Sequence, residues 1–356
     1  MFILDSHCDT PSQIFRLRDL RQDNAYAHVD LPKLRRGGVD GAFFALYVPA
    51  SYDDNPDEGF EYAQVLLRGV ERCVNENNDQ VAFASSFSQG LINKEKGRFS
   101  VFLGLENGSP IGQSIDRLNS LYDKGIRYIT LCHSKNNHIC DSCATTHKRW
   151  GGLSSFGREL VAEMNRLGML IDVSHASDDT FYDVLKHSSS PVVATHSCCR
   201  ALCDHPRNLS DEMIRDLAAE GGVIQINFYP LFLDAEFSNV LLSSGIVERG
   251  ELIEKEFIAD PANNVKREAW NRIQGELQSL VRPSFKKIAD HIDHVVDLVG
   301  ISHVGIGSDF DGIEVTPSGL EDVSTLPVLF EELKLRGYSD SDIEKIAGLN
   351  FFRILG

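Results

Sequence analysis

The sequence predicts an α/β fold, a (β/α)8 TIM-like barrel, from its strand pattern, its helix pattern and its length. Eight short, near-continuous apolar runs alternate with helical patterns, as expected of parallel strands buried on both faces. Such a barrel needs about 250 residues, so 356 residues fit one barrel with added segments. Length alone would also fit two domains, but the repeated alternation favours a single barrel domain over residues 1–356 rather than a doubly wound sheet.

The eight predicted strands are short, and most are apolar throughout. They are Phe2–Ser6, Gly41–Val48, Ser100–Leu105, Arg127–Leu131, Met169–Ser174, Pro191–Thr195, Gly222–Phe228 and His303–Ser308.

Helices are predicted between these strands. Ser154–Leu167 carries apolar residues on one face and is followed by Gly168, which suits a helix C-terminus. Ser177 and Ser210 are expected N-caps, each followed by two acidic residues that favour the positive end of the helix dipole. A last helix is predicted over Asp340–Leu355.

The stretch between the seventh and eighth predicted strands is too long for one helix. We predict that Leu231–Arg282 is an insertion, mostly helical and charged, with helices over Glu248–Phe257 and Glu268–Leu280. Motifs do not indicate its role, but it could alter a substrate pocket.

Charge and composition exclude several classes of partner. The formal net charge is −17, which repels nucleic acid backbones and anionic membranes. The N-terminus lacks the pattern of a signal peptide, and no apolar run approaches the roughly 20 residues of a membrane span. Eight cysteines in a chain of this size fit a reduced protein better than a disulfide framework, so a cytoplasmic location is expected.

Six of the eight predicted strands deliver a histidine or a carboxylate at the C-terminal end, the barrel face where active sites lie. These residues are His7 and Asp9 after the first strand, Glu106 after the third, His133 after the fourth, His175 after the fifth, His196 after the sixth and Asp309 after the eighth. Each alone is more often structural, but their joint occurrence at strand ends is not expected by chance.

Three histidines and two carboxylates from this set suit two metal ions, with Glu106 bridging them. His7 and Asp9 are two residues apart, so their side chains share one side of an extended segment. A pair of metal ions, typically about 3.5–4 Å apart, can hold a hydroxide and polarise a substrate carbonyl.

Other motifs carry less chemistry. Cys140 and Cys143 form a C-x-x-C pair, but there is no second pair and no thioredoxin-like context. Three more cysteines are expected to pack as small apolar residues: Cys198, Cys199 and Cys203. His291 and His294 are expected on an exposed helix face.

The chain resembles the membrane (renal) dipeptidases, a family of zinc dipeptidases with many bacterial members, nearly from end to end. The segments that carry the resemblance are Asp5–Pro11, Asp30–Leu34, Gly168–His175, Cys203–Asn208 and Val304–Gly312. One departure is Glu106-Asn107-Gly108, where the family often has Glu-Gly-Gly.

The resemblance implies hydrolysis of the amide bond of dipeptides, including those with a D-residue at the C-terminal position, and a homodimer. It implies two zinc ions, one bound by His7, Asp9 and Glu106 and the other by Glu106, His175 and His196. It also implies that His133 contacts the scissile carbonyl side, that Arg207 binds the substrate carboxylate and that Asp309 is the acid/base. An arginine fork suits a planar carboxylate.

Two alternatives are kept. Another barrel metallohydrolase, such as an amidohydrolase of cyclic amides or a deaminase, usually has His-x-His after the first strand and often a carbamylated lysine. This chain has His7-x-Asp9 and no lysine at the end of a predicted inner strand. A non-catalytic peptide-binding barrel would be indicated by loss of a ligand or of Asp309, and none is lost. The sequence names neither the dipeptide nor the metal among zinc, manganese and cobalt.

Overall fold

The computed structural model describes residues 1–260 and 262–355, which contain nine β-strands. The strands are β1 (Leu4–Cys8), β2 (Gly41–Tyr47), β3 (Val81–Phe83), β4 (Phe99–Glu106), β5 (Ile126–Thr130), β6 (Leu170–Asp172), β7 (Val193–Ser197), β8 (Val223–Ile226) and β9 (Val304–Ile306). Residues 261 and 356, which the single-domain prediction includes, lie outside the described residues.

Eight of these strands form a near-closed parallel barrel in the order β1-β2-β4-β5-β6-β7-β8-β9. A parallel bridge between Cys8 and Phe310 joins the two ends of the sheet. The backbone N–H of Asp9 donates to the Phe310 carbonyl at 2.8 Å, and that of Asp309 donates to the His7 carbonyl at 3.0 Å. The closure therefore brings the ends of β1 and β9 together at the same rim.

The TIM-like barrel and its eight predicted strands are confirmed, but β3 was not predicted. It pairs with the start of β4, from Val81 opposite Phe99 to Phe83 opposite Val101. Three residues, of which only Val81 is fully buried, are too few to give a recognisable hydrophobic period.

Sixteen α-helices lie in the described part of the chain. They are α1 (Thr10–Phe15), α2 (Leu31–Gly37), α3 (Pro56–Glu76), α4 (Phe87–Glu95), α5 (Ile115–Asp123), α6 (Ser155–Leu167), α7 (Asp178–His187), α8 (Asp211–Ala219), α9 (Pro230–Leu233), α10 (Ala235–Ser244), α11 (Ile246–Ala259), α12 (Asn264–Gln278), α13 (Lys286–Val299), α14 (Pro327–Leu335), α15 (Asp340–Glu344) and α16 (Asn350–Ile354). The predicted N-caps Ser177 and Ser210 are confirmed, because each side chain accepts a backbone N–H of the following helix. Ser154, the first residue of the predicted helix, caps α6 in the same way.

The predicted C-terminal helix over Asp340–Leu355 is helical as far as Ile354, but it is interrupted. α15 and α16 are separated by a wider turn over Lys345–Leu349. Gly348 in this turn packs against β1, where a Cβ atom would come within 3.0 Å of the Phe2 carbonyl oxygen. The chain therefore bends where it passes the start of β1.

The chain between β8 and β9 is largely helical, as predicted for Leu231–Arg282. α10, α11 and α12 lie within this stretch, and α11 packs against α12. Residue 261, between α11 and α12, lies outside the described residues. That the stretch is an insertion into the barrel stays a prediction.

Inside the barrel, apolar and polar side chains occupy different ends. Phe43 of β2 packs against Phe102, Tyr128 and Phe351 with ring centroids 5.0–5.1 Å apart. Nearer the C-terminal ends of the strands, the buried residues are polar, including Asp172 of β6. The barrel is thus filled with apolar side chains at one end and carries its polar site at the other.

Across residues 1–260 and 262–355, none of the helices combines the length and the apolar character that crossing a bilayer requires.

Candidate active site

Glu106, the last residue of β4, lies among four histidines. Its Oε2 atom is 3.4 Å from Nε2 of His7. Its Oε1 atom lies 3.1 Å from Nε2 of His175, 3.6 Å from that of His196 and 3.7 Å from that of His133. One carboxylate therefore faces histidines from both sides, with His7 on one oxygen and three others on the second.

Two aspartates extend this cluster. His7 Nε2 lies 3.5 Å from Asp9 Oδ2. Three sets of residues have potential ligand atoms within 4.8 Å of one another. They are His7 with Glu106 and His196, Glu106 with His133 and His175, and His7 with Asp9 and Asp309.

The backbone after β9 holds Asp309 in place. Its φ is 63°, in the left-handed region that aspartate tolerates better than most residues. Asn227 Nδ2 donates to Asp309 Oδ2 at 2.9 Å. A Cβ atom at Gly312 would lie 2.1 Å from Asp9 Oδ2 and 2.8 Å from Asp309 Oδ1, so only glycine fits beside the two carboxylates.

Three of the four histidines are neutral. Burial lowers the pKa of His175 and His196 well below the usual range, and the Arg207 cation adds to both shifts. Burial, Arg207 and His7 lower the pKa of His133 to about 3. Neutral imidazoles keep a lone pair on one ring nitrogen, which is the form that binds metal ions.

The pKa values of Asp9, Asp309 and His7 are shifted in the opposite direction, upward. Burial raises the pKa of Asp9 to about 6, with repulsion from Glu106 adding to the shift. Burial also raises the pKa of Asp309 to about 8, opposed by His7 and increased by Asp9 and Glu106. For His7, burial acts to lower the pKa, but the neighbouring carboxylates raise it well above its usual value. The site concentrates negative charge that a cation would offset.

The residues present fit divalent metal ions. His7 Nε2 and Asp9 Oδ1 are buried and make no hydrogen bond within the described residues. The Nε2 atoms of His175 and His196 lie 3.0 Å apart, so two neutral imidazoles face a common point. Imidazole nitrogen and carboxylate oxygen are the donors that zinc takes in sites without thiolate.

Arg207 supplies a buried cation beside this cluster. The residue is only 7% exposed to solvent, and its Nη2 donates to the His196 carbonyl at 2.9 Å. Its guanidinium carbon lies 5.3 Å from the centre of the Phe232 ring. The Nε and Nη1 atoms are buried without a hydrogen-bond partner in the part of the chain that the structure describes, so two guanidinium nitrogens have N–H donors available for an anion.

The structure thus brings the seven predicted residues at strand ends into one cluster, with Arg207 beside it. The expectation for His291 is wrong, because this side chain is buried. Its Nδ1 accepts from the backbone N–H of Cys199 at 3.0 Å, and its Nε2 contacts the Leu233 carbonyl at 3.1 Å. His294, on the same helix, is partly exposed and pairs with Asp211 at 2.8 Å.

The cysteines take no part in the cluster. All eight are free thiols, and Cys198, Cys199 and Cys203 are buried as predicted. Within residues 1–260 and 262–355, Cys140 and Cys143 belong to none of the groups that could hold a metal ion.

Asn107 is a residue of the site that sequence reasoning flagged only as a departure from a motif. It is fully buried with a φ of 74°. Its Nδ2 donates to the Val48 carbonyl at 3.0 Å and to Asp53 Oδ1 at 2.8 Å, and its Oδ1 accepts from Asn137 Nδ2 at 3.2 Å. One amide therefore connects the loops that follow β2, β4 and β5.

The barrel and its rim of imidazoles and carboxylates define a class, the (β/α)8 proteins with a candidate metal centre at the C-terminal face. Within that class, the chain belongs to the membrane dipeptidase family (peptidase family M19), whose family model matches residues 1–356. Membership makes it a metallo-dipeptidase, a hydrolase, and confirms the family that the motifs predicted.

Relatives of known description agree with this assignment. The chain is 35% identical over 337 residues to the dipeptidase verJ of Clonostachys rogersoniana, covering 92% of this chain and 75% of the relative. It is 34% identical over 352 residues to the dipeptidase aclJ of Aspergillus oryzae, covering 97% and 73%.

Solved structures of similar fold cover the whole chain. The probable dipeptidase PvdM from Pseudomonas aeruginosa is 28% identical, with a TM-score of 0.84 over 100% of this chain and 95% of the other. A metallopeptidase from Rhodobacter sphaeroides, solved with a phosphinate mimic of the dipeptide L-Ala-D-Ala, has the same fold, with a TM-score of 0.80 at 24% identity over 100% and 98% of the two chains.

Proposed function

We propose that this protein hydrolyses the amide bond of dipeptides with a binuclear zinc centre at the barrel rim. The observation that carries the proposal is the position of Glu106, with His7 on one carboxylate oxygen and His175, His196 and His133 within 3.7 Å of the other. A carboxylate with ligands on both sides is suited to bridge two ions.

His7, Asp9 and Glu106 would hold one zinc ion, and Glu106, His175 and His196 the other. His133 and Asp309 also lie close enough to bind an ion, but each is more exposed than the five buried residues. We therefore assign both residues to act on the substrate. When bound, the two ions supply an activated water and polarise the amide carbonyl.

Asp309 would move the proton. It lies beside His7 and Asp9 and, unlike these two, is a partly exposed residue, so it can reach a substrate above the cluster. The carboxylate accepts a proton from the attacking water, and the resulting acid donates it to the leaving amine. Asn227 Nδ2 donates to Oδ2 and so orients this carboxyl group beside Asp9.

His133 would contact the carbonyl side of the amide. Its imidazole is neutral and packs against His175, with ring centroids 4.2 Å apart. A neutral imidazole can donate one N–H to the oxygen that gains negative charge as the amide is attacked.

Arg207 would bind the free carboxylate of the substrate. Its Nε and Nη1 atoms are unpaired within the described residues, and its charge lowers the pKa values of His133 and His175. A carboxylate held there would end the substrate one residue beyond the cut bond, which selects dipeptides. The L-Ala-D-Ala mimic bound by the Rhodobacter sphaeroides relative supports including a D-residue at that position.

The experiment compares a dipeptide, its C-terminal amide and the matching tripeptide, in L,L and L,D forms. We expect the dipeptide to be preferred by orders of magnitude in kcat/KM, and Arg207→Ala to reduce that preference chiefly through KM. Arg158→Ala, which changes an exposed arginine of α6, is the matched control. Equal cleavage of dipeptide and amide by the unmutated enzyme would contradict the assignment of Arg207.

A homodimer stays a prediction from the family resemblance. Light scattering on the purified protein tests it, since a mass of one chain at micromolar concentration would contradict it.

A further inference from the structure

We propose that Thr195 and Tyr128 are positioning residues that act from inside the barrel, each fixing the ring tautomer of one histidine of the candidate metal centre. Thr195 serves His196, with Asp172 behind it, and Tyr128 serves His7. The inference rests on the proposed metal centre, because the tautomer decides which ring nitrogen is free to bind an ion.

Asp172 fixes the direction of the Thr195 hydroxyl. The Asp172 carboxylate, fully buried at the end of β6, accepts hydrogen bonds from neighbouring strands. Its partners are Thr130 Oγ1 at 2.5 Å, Ser174 N at 3.1 Å, Ser174 Oγ at 2.6 Å, Thr195 N at 2.9 Å and Thr195 Oγ1 at 2.7 Å. An ionised carboxylate only accepts, so the single hydroxyl proton of Thr195 is directed to Asp172.

The Thr195 oxygen is then an acceptor for His196. Oγ1 lies 2.9 Å from His196 Nδ1, and its only hydroxyl proton is already used in the hydrogen bond to Asp172 Oδ2. His196 must therefore carry its proton on Nδ1. That leaves the lone pair on Nε2, which is the atom 3.6 Å from Glu106 and 3.0 Å from His175 Nε2.

We infer the same kind of support for His7 from Tyr128, whose hydroxyl oxygen can accept the Nδ1 proton and leave Nε2 for an ion. Its hydroxyl oxygen lies 2.8 Å from His7 Nδ1, while His7 Nε2 faces Glu106 at 3.4 Å. The Tyr128 ring reaches this position because β4 has a glycine beside it. A Cβ atom at Gly104 would come within 2.2 Å of the ring.

The two hydroxyls therefore serve different sites. Tyr128 contacts a histidine grouped with Asp9, whereas Thr195 contacts His196, which pairs with His175. Thr195 Oγ1 also lies 3.5 Å from His7 Nδ1, but this is longer than its 2.9 Å contact with His196. Removal of each hydroxyl should thus lower mainly the affinity for one of the two ions.

The experiment measures stepwise zinc release to a competing chelator from the holoenzyme and from Tyr128→Phe and Thr195→Val. We expect each variant to lower the affinity for one zinc ion by about 10- to 100-fold, the range typical when a metal-binding histidine loses its hydrogen-bond partner. The affinity for the other ion should change far less. Asp9→Asn and His175→Asn, each lacking a ligand of one site, identify which ion is affected.

Two controls separate positioning from general damage. Thr195→Ser keeps the hydroxyl and should restore the affinity that Thr195→Val loses. Tyr122→Phe changes a tyrosine of α5 outside the site and should leave the affinity for both ions unchanged. The inference would be overturned if either test variant lowered the affinity for both ions equally, or lowered neither.

The tautomer can also be measured without metal. ¹⁵N chemical shifts of the metal-free protein should assign the His196 proton to Nδ1 in the wild type and Thr195→Ser, but not in Thr195→Val. An unchanged tautomer in Thr195→Val would overturn the role of Thr195. Fewer than two ions in the wild type would contradict the proposed function instead, while this measurement would still test the inference.

Discussion

Asn107 is the residue at which this chain departs most clearly from the motif of its family, and its contacts give a reason. A left-handed φ of 74° is easy for glycine and acceptable for asparagine. The asparagine side chain adds hydrogen bonds to the Val48 carbonyl, to Asp53 and to Asn137. Glycine at this position could not make them, so the loops around Glu106 are held together here by one amide.

Asn107→Gly tests this role without backbone strain. We expect the free energy of unfolding to fall by about 1–3 kcal/mol, the cost of leaving buried polar partners unpaired. We also expect kcat/KM to fall, because Asn137 lies in the loop that carries His133. Chemical denaturation and kinetics measure the two effects. Asn107→Ala should be less stable than Asn107→Gly, since alanine disfavours the left-handed φ. The opposite order would contradict a backbone contribution.

Asp309 has the clearest chemical role in the proposal. Asp309→Asn keeps the shape of the side chain but cannot take up a proton. Turnover should fall by at least the roughly 10²–10⁴-fold typical of general acid/base loss. The metal content of the same sample should not change. An ion lost together with activity would make Asp309 a ligand, which its position beside His7 and Asp9 also permits.

The predictability of each residue depended on where its partners lie. Glu106 and His175 could be found from the sequence because a polar residue that ends an apolar strand lies at the rim of a barrel. Tyr128 and Thr195 could not, because they lie within strands and their hydroxyl partners are set by three-dimensional neighbours. His291 was misjudged because a helical period does not reveal a second layer of packing over the helix.

At the scale of elements, the strands of the barrel were predictable because both of their faces are buried. β4 is buried at all eight of its positions, and its pattern is apolar apart from Ser100, Gly104 and the final Glu106. β3 has three residues and no such pattern. The interruption between α15 and α16 depends on the approach of Gly348 to Phe2, a contact between the two ends of the chain. Local periodicity carries no information about such a contact.

α11 reaches the rim of the barrel through Glu254, which pairs with Arg16 at 2.7 Å. Burial, together with the nearby charge of Glu254, raises the pKa of Glu314 from 4.5 to about 7. A carboxyl whose pKa is raised on folding binds its proton more tightly in the folded state. Its contribution to stability is therefore favourable at low pH and is lost as the pH rises from about 4.5 to about 7.

Glu314→Gln removes this titration. We expect the variant to be more stable than the wild type above pH 7 and to lose that advantage as the pH falls to 5. Thermal unfolding at matched metal load, measured at unit steps of pH, gives the comparison. Glu321→Gln, at a side chain that is 49% exposed, is the matched control. A pH-independent effect of Glu314→Gln would contradict the shifted pKa.

For the whole molecule, the candidate metal centre joins parts of the chain that are far apart in sequence. His7 lies near one end and Asp309 near the other, and both are brought to one rim by the closure of β1 against β9. The cluster also concentrates Asp9, Glu106 and Asp309 within a chain of net charge −17. Mutual repulsion of these carboxylates in a metal-free protein opposes the closed barrel, and bound cations relieve it.

Metal removal should therefore destabilise the entire barrel. Each ion present at about 1,000 times its Kd adds roughly 4 kcal/mol to the free energy of unfolding, so two ions should raise Tm on the order of 10 °C for a chain of this length. Chelation should abolish activity and lower Tm together, and added zinc should restore both, with two ions per active chain by elemental analysis.

Glu106→Gln should reduce the Tm difference between metal-loaded and metal-free protein, because Glu106 contacts the ligands of both proposed sites. Glu331→Gln, at a side chain 71% exposed, should preserve the full difference. A single ion per fully active chain would contradict the binuclear centre.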